Sequence, residues 1–239
     1  MTLPIIDVPT YELTIPSTKK VIKVRPFTVR EEKLLLIALE SKDAEEIIKT
    51  VKQIITNCII EGSVDISKAP FFDIDYMFIF LRAKSIGNTV EVKMTCNNIV
   101  DGDMCGNSFS ADMDISKCDI VGDDVNDDIK LDGGKGVKMK YPNYSQMKHI
   151  ELGNEVDAKI NTVINSIDYI YDKEQMYSSK DYSKAELRHF VESMTEEKFR
   201  KLEAFVDNFP TFAVVLEKQC NKCGFEHKVR YTDFYDFFF

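Results

Sequence analysis

The chain has 239 residues, 44% apolar and 30% charged, with a formal net charge of −9, so it can fill the core of one large domain or two small ones. The acidic balance disfavours nucleic acid and anionic membranes as partners, and no apolar run reaches the ~18 residues that span a bilayer. The start, Met1-Thr2-Leu3-Pro4-Ile5-Ile6-Asp7, lacks the features of a secretory signal, so a reducing compartment is expected, where thiols bind metal more often than they pair.

In chain order, Tyr11–Ile15 alternates apolar and polar residues, Pro16-Ser17-Thr18-Lys19 reads as a turn, and Val21–Val24 returns. That pattern predicts an N-terminal hairpin, closed by Arg25-Pro26-Phe27. Thr28 with Glu31 three residues later is a capping box. The helix it opens, through Leu34, Leu35, Ile37, Ala38 and Leu39, is apolar enough to be expected at the centre of the fold. Ile47, Ile48, Val51, Ile54, Ile55, Cys58 and Ile59 recur at helical spacing, opposite Glu45, Glu46, Lys49 and Lys52, and Gly62 follows the end. Beyond Pro70, the stripe Ile74, Met77, Phe78 and Leu81 predicts a helix over 73–86, ended by Gly87-Asn88. The strand-like run Val90–Met94 leads into Cys96. After Cys105, Phe109, Ala111, Met113 and Ile115 alternate outward on a return strand.

Residues 119–136 change character. Asp119, Asp123, Asp124, Asp127, Asp128 and Asp132, with Gly133 and Gly134, read as an acidic loop connector. Val137–Tyr141 follows as a short strand, and Val156, Ile160, Val163, Ile164 and Ile167 as a long helix. Tyr171–Tyr182 reads as a polar loop. Ser183 caps a short helix with Leu187, Phe190 and Val191; Thr195 opens another with Phe199, Leu202, Phe205 and Phe209 on one face, stopped by Pro210. Phe212–Leu216 is a strand leading to Cys220, and His227, Val229 and Tyr231 lie on its return. The expected fold is α+β: a mainly helical core, an N-terminal β-hairpin, and two further hairpins forming a four-cysteine, zinc-ribbon-like site. It is expected as a single compact unit over 1–239, with pseudo-similar halves 1–118 and 137–239 joined by 119–136.

The chemistry concentrates in cysteine. Cys220 and Cys223 form a Cys-x-x-Cys followed by Gly224; Cys96 and Cys105 form a looser pair followed by Gly106. Each pair lies between strand-like runs, as at a hairpin tip, and two such tips together make a four-thiolate structural zinc site. Residues 97–104 then read as a loop inserted at the first tip. Cys118 and His227 are the alternative ligands if that loop is displaced, and Cys58, on an apolar helical stripe, belongs to the core. A closed four-thiolate shell argues against an enzyme, because a catalytic zinc keeps an open position. His149 and His189 stand apart from any nucleophile pattern. Asp132-Gly133-Gly134-Lys135-Gly136 lacks the spacing of a phosphate loop, and the aspartates of 119–136 do not match a calcium loop. A zinc-ribbon nucleic-acid binder is the alternative function, with Lys222, His227, Lys228 and Arg230 as its small basic candidate. Finally, Phe234, Tyr235, Phe237, Phe238 and Phe239 crowd the C-terminus. They form a candidate partner-binding patch, or a tail folded back on its own chain.

Three strings, Tyr11-Glu12-Leu13-Thr14-Ile15-Pro16-Ser17, Arg25-Pro26-Phe27-Thr28-Val29-Arg30-Glu31-Glu32-Lys33 and Leu81-Arg82-Ala83-Lys84-Ser85-Ile86-Gly87, together with Tyr231-Thr232-Asp233-Phe234, resemble the baseplate hub assembly proteins of T-even-like contractile-tailed phages. The resemblance implies a non-enzymatic protein of virion assembly. It would act as an assembly factor (a chaperone of the hub) or as a hub component, with other baseplate hub proteins as partners. It would be made in the host cytoplasm, and its retention in the virion tail baseplate is left open.

Overall fold

The computed structural model describes residues 7–122, 125–147, 155–232 and Phe237. Contacts divide the chain into two compact units, Met1–Val121 with Thr211–Phe239, and Gly122–Pro210.

In the first unit, strands Tyr11–Thr14, Val21–Val24 and Ile59–Glu61 form a three-stranded antiparallel sheet. The turn between the first two strands is held from outside. The buried Asp73 carboxylate accepts the Ser17 backbone N–H at 2.9 Å and also the Ser17 hydroxyl. Ile59, read above as the end of a helical stripe, instead starts the third strand and pairs with Val24.

Helix Val29–Ser41 begins where the capping box places it. Glu31 Oε2 accepts the backbone N–H of Thr28 at 2.8 Å and its hydroxyl at 2.6 Å. Its expected central position is not found: Val29, Leu36 and Ile37 are 79%, 55% and 51% exposed, and of its apolar residues only Leu35 and Ala38 are buried. Apolar content alone could not decide which face would be covered. Helix Ala44–Cys58 follows its stripe closely, burying Ile47, Val51, Ile54, Ile55 and Cys58. The centre is taken by helix Phe71–Ser85. Phe72, Ile74, Met77, Phe78, Ile79, Leu81 and Ala83 are buried around its circumference, the pattern of a helix covered on every side. It packs against helix Ala44–Cys58 and strand Thr211–Gln219.

The second unit holds a four-stranded antiparallel sheet in the order Met176–Ser178, Ile167–Tyr171, Gly136–Met139, Asp128–Lys130. Helices Glu155–Asn165, Lys184–Glu192 and Glu196–Asp207 belong to the same unit, and their Val163, Ile164, Leu187, Val191, Leu202 and Phe205 share one core with Ile129, Val137, Met139 and Ile167 of the sheet. Ser183 caps its helix as read, its hydroxyl accepting the Glu186 N–H at 3.3 Å.

Three expectations fail here. Ile167 is a strand residue, and Tyr171–Tyr182, expected as a loop, contains the edge strand Met176–Ser178. The acidic stretch 119–136 also carries strands, Asp119–Val121 and Asp128–Lys130. The expected mainly helical core is therefore corrected. Of the described residues, 41% are helical and 29% lie in strands, with many small antiparallel sheets contributing to the cores. Strands of three residues carry too few side chains for an alternation to register in the sequence.

Candidate metal centre

Two hairpins carry the cysteines, and both lie in the first unit. Strands Thr89–Thr95 and Ser108–Asp114 pair in continuous register from Thr89↔Asp114 to Thr95↔Ser108. Val90, Val92 and Met94 face the core from one strand, and Ala111 and Met113 from the other, so the expected outward alternation is corrected to an inward one. Strands Thr211–Gln219 and Glu226–Tyr231 pair from Val214↔Tyr231 to Gln219↔Glu226.

The two tips close by the same bonds. Cys96 N–H donates to Asn107 O at 2.8 Å, and Gly106 N–H to Cys96 O at 3.0 Å. Correspondingly, Cys220 N–H donates to Phe225 O at 2.8 Å, and Gly224 N–H to Cys220 O at 2.9 Å. Gly106 and Gly224 take the left-handed backbone, φ 60° and 74°, that turns the chain back after the second cysteine of each pair. The first tip is thus the second one with residues 97–104 in place of Asn221-Lys222. The insertion is itself a hairpin, Ile99–Val100 with Asp103–Met104, turning at Asp101-Gly102 with both φ positive. Asp-Gly is a strong two-residue turn signal, and it explains how Cys96 and Cys105 stay adjacent across an eight-residue gap.

The sulfurs of Cys96, Cys105, Cys220 and Cys223 all lie within 4.8 Å of one another. Cys96 Sγ and Cys223 Sγ are 3.6 Å apart, well beyond a disulfide bond, and all four are free thiols. Four sulfurs at about 2.3 Å from a central zinc sit about 3.8 Å apart, so the donor set and its spacing fit a tetrahedral metal. Cys96 and Cys220 are buried, and Cys105 and Cys223 partly so.

Hydrogen bonding divides the thiols electrostatically. The backbone N–H of Cys223 pulls the Cys220 thiol down to about 6 against burial, helped by the Lys222 N–H and the Asn107 side chain. Cys223 is lowered by the Phe225 backbone N–H, with Asn98 adding to it. Burial pushes Cys96 up to about 12. The thiols of Cys220 and Cys223 therefore ionise more readily than that of Cys96.

The other candidates stay outside the cluster. Cys118 is raised to about 12 by burial, with Asp119 next, and Cys58 to about 11 by burial among core residues. His227 is buried between the rings of Phe109 and Phe225, its Nε2 without a hydrogen-bond partner. Of the small basic neighbourhood, Lys228 pairs with Glu217 at 2.8 Å, and Lys222 Nζ donates to Cys105 O at 3.2 Å. Asp132–Gly134 is a single 3-10 turn leading into strand Gly136–Met139, not into the helix a phosphate loop requires. His189 is exposed on its helix, and His149 lies outside the described residues. Of the aromatic tail, Phe237 is fully buried, edge-on to Phe212 at 5.1 Å; Phe234, Tyr235, Phe238 and Phe239 lie outside the described residues.

The sequence reading missed Asn98 and Asn107, whose side chains reach sulfur across the site. The available signal was their spacing, each two residues after a cysteine of the first pair.

The family model described as T4 bacteriophage base plate protein matches residues 8–239. The chain belongs to this family. No curated protein and no solved structure matches it.

Within this base plate protein, two of the strings that carried the resemblance, Arg25–Lys33 and Leu81–Gly87, meet in the first unit. Arg25 Nη2 pairs with the buried Glu31 at 2.9 Å, and its Nη1 donates to Pro26 O at 2.9 Å. Phe27 N–H donates to Ser85 Oγ at 2.9 Å, and the Phe27 ring stacks with Phe78 at 6.4 Å. No described helix is long and apolar enough to cross a membrane.

Proposed function

We propose that this chain is a non-enzymatic protein of phage tail baseplate assembly, acting at the baseplate hub as an assembly factor or structural part. It works through contacts with other baseplate proteins, and a structural zinc held by Cys96, Cys105, Cys220 and Cys223 fixes two of its hairpins. Family membership supports the baseplate half of this reading. The closed set of four sulfurs supports the structural-metal half: with four thiolates around the ion, no position remains for water or substrate. The metal then links hairpins far apart in the chain. Apparent free energies for structural zinc are on the order of 10 kcal/mol, comparable to the whole stability of many domains. Such a clasp supplies rigidity to the surfaces its hairpins present.

The test has two arms. Elemental analysis of the purified full chain is expected to give one zinc per chain. Complementation of infected cells lacking the protein, scored by sedimentation of completed tails, is expected to succeed with the wild type and fail with Cys220→Ser. A chain free of metal, or completed tails from a chain unable to hold it, would overturn the reading.

A further inference from the structure

We propose that Asn98 and Asn107 are positioning residues of the metal centre, each donating a side-chain N–H from the first hairpin to a ligand sulfur of the second. The proposal rests on the reading of the four cysteines as a metal site. Asn98 Nδ2 lies 3.7 Å from Cys223 Sγ, and Asn107 Nδ2 lies 3.5 Å from Cys220 Sγ. Asn107 is steadied in turn by Asn221, whose Oδ1 accepts from the same Nδ2 at 2.5 Å.

The arrangement is one-sided. Residues two beyond the cysteines of the first pair are Asn98 and Asn107; in the second pair they are Lys222 and Phe225. Lys222 reaches back to Cys105 O, and the Phe225 ring lies against His227. Both side-chain amides therefore come from the first hairpin and both address the second pair.

The chemical reason is charge. A divalent ion with four thiolates carries a formal charge of −2, and N–H donors at sulfur spread that charge. A neutral amide does so while adding no cation of its own. It also fixes the direction of the sulfur lone pairs, the role that outer partners play at metal sites in general. The two asparagines thus join the hairpins through the ligand atoms themselves, so the same bonds that orient the sulfurs bring the halves of the site together.

The test uses the full chain with Asn98→Ala, Asn107→Ala and, as control, Asn97→Ala, which alters an exposed neighbour. Zinc affinity is measured by chelator competition, and the thiolate-to-metal charge-transfer band is recorded with cobalt(II). Affinity is expected to fall about 10- to 100-fold for each of the first two variants. Their cobalt band is expected to move to longer wavelength, because a thiolate without its donor gives up an electron more easily. Asn97→Ala is expected to match the wild type. Where an alanine variant does not fold, Asn98→Asp or Asn107→Asp keeps the shape but removes the donor, with a larger loss expected. Wild-type affinity and an unmoved band in the Asn98 and Asn107 variants would overturn the proposal, as would a loss of thermal stability equal with and without metal. A wild-type chain that binds neither metal would instead overturn the underlying metal site.

Discussion

Replacing Glu31 by glutamine is expected to make the stability of the first unit lower and less dependent on acid. Burial by itself would raise the Glu31 carboxyl. The hydrogen bonds from Arg25 and from the Thr28 hydroxyl and N–H outweigh burial and hold it down from 4.5 to about 2. At about 1.36 kcal/mol per pH unit, that difference is worth about 3 kcal/mol. Because the folded value is the lower one, the unfolded chain takes up the proton first as acid is added. The stabilisation is then complete above about pH 4.5 and is lost as pH falls toward about 2. Glu31 is 3% exposed and its partner Arg25 24%, so water screens the pair only in part. Leaving the guanidinium without its partner costs about 3–5 kcal/mol in comparable buried pairs, which agrees in size. The assay is denaturant unfolding of wild type and Glu31→Gln from pH 7 down to pH 2.5, with amide hydrogen exchange in helix Val29–Ser41 locating the loss. The gap between the two proteins is expected to be near 3 kcal/mol at pH 7 and to narrow steadily below pH 4.5. An equal gap at every pH, or none at pH 7, would refute the account.

Gly136→Val is expected to destabilise the second unit by about 1–3 kcal/mol in thermal unfolding, as overpacking does, because a Cβ there would overlap the Tyr171 ring that covers this glycine. Asp73→Ala should cost about 2 kcal/mol or more by removing the acceptor for both Ser17 donors, and faster hydrogen exchange at Ser17 would report it. Ile37→Ser, on the exposed face of its helix, should change stability by less than about 0.5 kcal/mol, whereas Ile55→Ala, fully buried, should cost about 2–5 kcal/mol. Equal effects from those two variants in the same denaturation assay would mean that the helix Val29–Ser41 is covered after all.

Much of the site was legible in the chain because its chemistry is local. A Cys-x-x-Cys-Gly run makes a thiolate knuckle from five consecutive residues, and the strands on either side follow from alternation. The helices over 44–58 and 184–192 were legible for a similar reason: an apolar stripe and a capping side chain act within one or two turns. Three-residue strands such as Ile59–Glu61 and Met176–Ser178 were not, since they exist only through the neighbour they pair with. The helix over 29–41 shows the same limit. Thr28 and Glu31 announce its start, but nothing within it says that Leu36 and Ile37 stay in water while helix Phe71–Ser85 takes the centre.

The sequence by itself determined which residues are thiols, where the chain turns beside them, and where the capped and striped helices begin, since each depends on neighbours a few residues away. Only the tertiary structure decided that Cys96 and Cys105 meet Cys220 and Cys223, and that Asn98 and Asn107 reach across to their sulfurs. Those contacts join residues more than a hundred positions apart, and they form because the hairpins pack side by side, bringing the two tips together.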